Sequence, residues 1–205
     1  MSLENDGYEI LRGFYNVDHD LDPILAEIDQ VGSSFDPNFG HDLPHRLSAE
    51  QQSKLYSALR YFPSLIQLAS NRKNLELAGL YGLEAPAIMH CFNVRMDAPA
   101  KDAFNFHWHQ DLTYLLGSLN SLTYWIPLTT VNRERGTIEI VPSSHRGGVL
   151  PVRYTGEGQP TARQVMSPKD LVLENEPGPE TDTLFIEAEP GDLVVFKQLL
   201  LHRST

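Results

Sequence analysis

The chain is short of cysteine, of basic charge and of long apolar runs. Cys91 is its one cysteine, which excludes an internal disulfide. No stretch approaches the ~18 consecutive apolar residues that a membrane-spanning helix needs. The opening Met-Ser-Leu-Glu-Asn-Asp-Gly lacks the basic-then-apolar order of a secretory signal. Together these features predict a reducing, cytoplasmic setting. Lys and Arg number 16 against 27 Asp and Glu, a net charge of −11 at pH 7. Such a surface repels a nucleic-acid backbone or an anionic membrane, so neither is expected as a partner. Any anion must then be held by local basic residues. Internal repeats, coiled-coil heptads and low-complexity tracts are also missing. A length of 205 residues suits a single domain with one sizeable core.

What is present divides by period. Gly7 to Tyr15 alternates loosely and predicts a short opening strand. From about residue 18 to 80 the apolar residues recur at helical spacing. Asp22-Pro23 predicts an N-cap followed by proline at the first helical position, with Gly32 ending that helix. Ser48-Ala-Glu-Gln51 is a capping-box pattern for a second helix, and a third stretch runs from Pro63 to about Gly79. From about residue 86 to 205 the pattern alternates, with strands predicted at Ala87–Met96, Phe104–Asp111, Asn120–Thr130 and Thr137–Val141, and another from Asp192 towards His202. Gly147 to Pro190 is rich in glycine and proline and predicts a long excursion over the site, strand-like only at Leu171–Leu173 and Leu184–Ile186. Helices first and strands after make this an α+β chain, mainly β.

The chemistry concentrates in Phe104-Asn-Phe-His-Trp-His-Gln-Asp111. On a strand, Phe104, Phe106 and Trp108 share one face, while Asn105, His107, His109 and Asp111 share the other. His109-x-Asp111 delivers one nitrogen and one oxygen donor to a common point, two thirds of a 2-His-1-carboxylate facial triad. His202, at the end of an apolar run, is the candidate third ligand. His107-x-His109 is a rival same-face pair of the kind that cupin-type metal sites use. His107 is read as a group supporting the site or lining the substrate pocket. His145, after Pro142-Ser-Ser, reads as structural.

Several blocks in order carry a resemblance: His109-Gln-Asp111, Leu122-Thr-Tyr-Trp-Ile-Pro-Leu128, Arg135-Gly-Thr-Ile-Glu-Ile-Val-Pro-Ser-Ser-His145, and Glu189-Pro-Gly-Asp-Leu-Val-Val-Phe-Lys197 with His202-Arg-Ser204. From Gly7 onward the chain resembles the phytanoyl-CoA dioxygenase family of Fe(II)/2-oxoglutarate oxygenases. The resemblance implies a double-stranded β-helix, a jelly-roll or cupin-like core with the N-terminal helices packed on one sheet. It also implies His109, Asp111 and His202 as iron ligands, 2-oxoglutarate and O2 as co-substrates, and hydroxylation of a C–H bond in a small molecule. Trp125 is read equally as a core residue or as a neighbour of the co-substrate. Asp111 argues against halogenation, because halide needs the position that a carboxylate takes.

The distal carboxylate of 2-oxoglutarate must meet a cation or several donors, since burying it unpaired is costly. Family members generally carry an Arg one strand beyond the distal histidine, and here the sequence stops at Thr205. Ser204 matches the family's His-x-Ser, and Asn93 and Arg95 are possible substitutes for the Arg. Arg203 should point away from the site. The expectation is therefore a family member cut short, with His202 near a frayed end and an open sheet edge that invites a dimer. Two rivals stand beside the hydroxylase: a metal-binding module impaired in catalysis, and a cupin-like metalloenzyme that does not use 2-oxoglutarate.

Overall fold

The computed structural model describes residues 2–89, 94–95, 105–115, 117–156 and 171–205. They form two units, Tyr15–Lys101 and the combination of Met1–Phe14 with Asp102–Thr205. The chain opens on one helical turn, α1 (Leu3–Asp6), capped by the Ser2 side chain and ended by Gly7 at φ 82°. A Cβ on Gly7 would lie 2.4 Å from Nδ1 of His145, so both backbone and space require glycine there. The opening strand is shorter than its alternation suggests, β1 (Tyr8–Leu11).

Among the described residues of Tyr15–Lys101 the regular structure is helical. A π-helical turn at Val17–Leu21 leads into α2 (Asp22–Ser33), so Leu21 and not Asp22 occupies the N-cap. Asp22 is already helical and cannot adopt the extended backbone that a side-chain cap needs. Gly32 does not end the helix as its type suggests. It lies within α2 because the Phe39 ring packs where a Cβ would stand, 2.1 Å away. α3 (Ala49–Leu59) begins with the expected capping box, Ser48 and Gln51 bonding reciprocally. The third helical stretch is two helices, α4 (Pro63–Ala69) and α5 (Arg72–Leu80), with the Asn71 side chain capping the second. α2 packs against α3 and α4. Ile24, Ile28, Leu55, Leu59 and Leu68 are buried in this unit, while the Tyr15 hydroxyl donates to Asn74, whose amide donates to the Leu68 carbonyl.

The other unit holds a short α6 (Leu112–Leu115), then β2 (Leu122–Trp125), β3 (Ile138–Ile140), β4 (Val152–Tyr154), β5 (Leu171–Leu173), β6 (Leu184–Phe185), β7 (Leu193–Lys197) and β8 (His202–Ser204). With β1 they form sheets ordered β1-β7-β2, β6-β3-β8 and β4-β5, every pair antiparallel. β7 lies between two strands and is buried on both faces, which explains the unbroken Leu-Val-Val-Phe. Val194 and Phe196 join Tyr8, Ile138, Ile140, Ile186 and Leu200 in one core shared by the two three-stranded sheets.

Several sequence expectations change here. The described residues of Phe104–Asp111 are not a strand, and they join β8 through an isolated bridge, His109 to His202. The run from Asp192 breaks after β7 and extended structure resumes at β8. Of Asn120–Thr130 only Leu122–Trp125 is strand. The excursion from Gly147 contains β4, which alternation did not reveal, and β4 pairs with β5. Half of the predicted strand Ala87–Met96 lies outside the described residues, and its described parts, Ala87–Met89 and Val94–Arg95, are not strand.

The turn into β7 is fixed by Asp192, which accepts hydrogen bonds from the backbone N–H groups of Gly13 and Glu189 and from the Arg12 guanidinium. Burial alone would raise its pKa, but these donors outweigh burial and lower it. Asp192→Ala should cost on the order of 2 kcal/mol in urea denaturation, because two part-buried amides and the Arg12 guanidinium lose their acceptor. A carboxylate whose pKa is lowered by folding stabilises fully above its unfolded value of about 4 and loses that contribution as pH falls through it. Asp192→Asn should therefore show a shallower acid limb in stability against pH.

Candidate metal centre

His109 and His202 come from distant parts of the chain, and the backbone brings them side by side. Each donates its N–H to the other's carbonyl, at 2.9 and 3.0 Å. Past this pair the register slips by one residue. An unbroken antiparallel ladder would set Ser204 against His107, but Ser204 N–H reaches the Phe106 carbonyl instead. The slip leaves the His107 carbonyl to accept the Nδ1–H of His109 at 2.7 Å. His202 does the same locally, its Nδ1 bonding the Leu200 carbonyl at 2.9 Å. A carbonyl can only accept, so both imidazoles carry hydrogen on Nδ1 and turn Nε2 towards the site, where a bound metal would take its lone pair.

Both Nε2 atoms face one carboxylate. Asp111 Oδ1 lies 3.6 Å from Nε2 of His109 and 3.7 Å from that of His202, beyond hydrogen-bond length. Ligand atoms of the three residues all lie within 4.8 Å of one another. Burial would raise the Asp111 pKa, but His202, His109 and the Thr123 hydroxyl, which donates to Oδ2, bring it down to about 2. Asp111 is thus an anion at neutral pH, and the three side chains together offer two nitrogen donors and one oxygen donor. That donor set fits a divalent first-row metal, and two imidazoles with one carboxylate favour ferrous iron with open positions.

Each ligand is held from behind. Gln110 is fully buried, its Nε2 donating to the carbonyls of Gly148 and Leu199 and its Oε1 accepting from Leu150 N–H. The His109 segment is thereby tied to the loop that precedes His202. The rings of Phe106 and Tyr114 stand 5.2 Å from His109, and Phe196 stands 4.8 Å from His202. Burial first, then the Asp111 charge, raises the Tyr114 pKa to about 12, so the phenol keeps its proton and donates to the Leu171 carbonyl.

A family model described as phytanoyl-CoA dioxygenase (PhyH) matches residues 3–205. The chain belongs to that family. A curated relative, 1-deoxypentalenic acid 11-beta-hydroxylase of Streptomyces arenae, is 29% identical over 109 residues, 51% of this chain and 36% of that protein. The match thus spans about a third of that relative's length. Among solved structures, EvdO2 from Micromonospora carbonacea var. aurantiaca superposes with a TM-score of 0.57 at 16% identity, over 98% of this chain and 80% of that one. EctD from S. alaskensis, solved with 2-oxoglutarate and 5-hydroxyectoine, gives 0.52 at 17% identity, over 99% of this chain and 67% of that one. These likenesses are of fold.

The remaining sequence candidates of this phytanoyl-CoA dioxygenase family member sort unevenly. Trp125 lies on β2 two residues from Thr123, hence on the face that reaches Asp111, and it also packs on the shared core. Ser204 shares the His202 face of β8 and its Oγ accepts from Phe106 N–H. Arg203 points away, as expected, onto Glu139. Asn93 is outside the described residues, and Arg95 belongs to the helical unit. The support expected of the His107 ring comes from its carbonyl, the side chain itself being exposed. Phe106 lies against His109 rather than beside Trp108, because the slip breaks the alternation. The expectation of a frayed His202 is also overturned: β8 is bonded to β3 on one side and to Phe106 and His109 on the other, and Thr205 N–H bonds the Thr137 carbonyl.

Thr123, Tyr114 and the clasp made by Gln110 were not foreseen. The shared parity of Thr123 and Trp125 was the available signal for the first, while α6 begins too close to Asp111 for periodicity to show Tyr114. Thr123→Val should leave the fold intact and weaken binding of Co(II), a spectroscopic substitute for Fe(II), on the order of tenfold in an anaerobic titration.

Proposed function

We propose that this protein is a non-haem Fe(II)- and 2-oxoglutarate-dependent dioxygenase that hydroxylates a C–H bond of a small molecule, in a single family domain built on a double-stranded β-helix core and working in the cytoplasm. The observation that carries the reading is the buried convergence of His109 Nε2, Asp111 Oδ1 and His202 Nε2 in a chain of the phytanoyl-CoA dioxygenase family. Iron held there would couple the oxidative decarboxylation of 2-oxoglutarate to substrate hydroxylation.

The protein's own groups prepare that chemistry. His107 and Leu200 carbonyls fix both imidazoles in the tautomer that offers Nε2. Thr123 holds Asp111 in one rotamer and keeps it ionised. Phe106, Tyr114 and Phe196 limit water around the ligands, which favours an oxidising reaction directed at substrate. Trp125 would flank the co-substrate from the Thr123 face. Ser204, with Asn93 and Arg95 on the strength of their chemistry, are the groups assigned to 2-oxoglutarate, and Arg95 supplies the cation that its distal carboxylate needs. The hydroxylase named among the relatives supports hydroxylation as the outcome.

Anaerobic Fe(II) and 2-oxoglutarate should together produce a visible absorption band that neither gives alone, and a metabolite screen should find a substrate that drives succinate formation. Asp111→Ala should lose both. Parent protein that forms no band and no succinate with any substrate overturns the proposal. Arg95→Ala should raise the 2-oxoglutarate Kd at least tenfold in the same titration while leaving Co(II) affinity unchanged; an unchanged 2-oxoglutarate Kd removes Arg95 from the site.

A further inference from the structure

Behind the candidate ligands lies a second cluster that the site chemistry does not use. Arg203 follows His202 on β8, so alternation turns it to the opposite face of that strand, and Trp108, which precedes His109, meets it there. There the Arg203 guanidinium donates from Nε and Nη2 to Oε2 of Glu139, at 2.7 and 2.6 Å, and its carbon sits 4.7 Å from the centroid of the Trp108 ring. Glu139 lies opposite Arg203 in the β3–β8 register, and its other oxygen accepts from the Thr183 hydroxyl at 2.6 Å. One guanidinium therefore spans three neighbouring segments: β3, β8 and the stretch that carries His109.

This tie lies where backbone pairing is sparse. Among the described residues the His109 stretch is joined to β8 by one reciprocal pair, a slipped contact and the Ser204 hydroxyl, so few ladder bonds oppose a further shift of register. Moving one residue would turn His109 to the wrong face. Arg203 is 42% exposed at its side chain while Glu139 is 5% exposed, so the planar fork is held by a buried carboxylate on one side and by the indole on the other.

We propose that Arg203, Trp108 and Glu139 are positioning residues for the metal centre, a clamp on the outer face that sets the register of His109 against His202. This rests on the metal-centre reading above. The structural alternative is that the trio only adds stability, and Co(II) separates the two.

In Arg203→Met/Glu139→Gln both charges go together, so no buried carboxylate is left unpaired. With circular dichroism like the parent's, that variant should show a Co(II) Kd raised on the order of tenfold and altered visible d–d bands at saturating metal. Trp108→Phe, which keeps the apolar contact with Leu173 and Leu201, should shift in the same direction by less. Arg203→Lys should recover part of the affinity. Parent-like Kd and bands in the double variant overturn the clamp; if the double variant does not fold, the same result in Trp108→Phe does so. A parent protein that binds no Co(II) overturns the metal reading itself, and the clamp with it.

Discussion

The reciprocal pair of backbone hydrogen bonds between His109 and His202 is the constraint on which the rest of the site depends. Side-chain chemistry alone cannot hold two imidazoles and a carboxylate together, because ordering each side chain costs entropy and the charged group resists leaving water. A backbone pair removes most of that cost, since the same residues are already fixed by the sheet. β3 supports β8 from the far side, and the core around Val194 and Phe196 supports both sheets. The ligand positions are thus inherited from strand pairing, and only their fine aim is left to side chains.

That fine aim is electrostatic as much as steric. The two imidazoles spend their N–H groups on carbonyls two residues upstream, a repeated local device that decides the tautomer before any ion arrives. Asp111 is charged and half-buried, and it is held by the two imidazoles and the Thr123 hydroxyl. Two imidazole nitrogens and a carboxylate oxygen aimed at one point form a ligand set, and a divalent cation is the partner that completes it.

Much of this was legible in the sequence, and the illegible parts have specific causes. His109, Asp111 and His202 stood out because residue type and spacing carry ligand chemistry, and Ser48 with Gln51 because a capping box is local. The apolar Leu-Val-Val-Phe of β7 announced a strand, and its cover on both faces explains why the run does not alternate. Parity misled at Phe106, since a one-residue slip between segments far apart in the chain leaves no local trace. Gly32 misled because glycine stops a helix in one context and admits an aromatic ring in another, and the Phe39 that decides the matter lies outside the helix. Thr123 was passed over since its importance belongs to Asp111, a partner on another element.

Gln110 reaches the excursion at Gly148 and Leu150, and the β7–β8 loop at Leu199, through main-chain atoms alone. Every residue type offers the same carbonyl, and every type but proline the same amide, so the side chains of the excursion can be exchanged without loosening its mooring. A lineage could thus exchange the side chains of this segment by ordinary drift while the ligand triad stays in place. Variable side chains and a constant ligand set become compatible through one amide that reads no side chain.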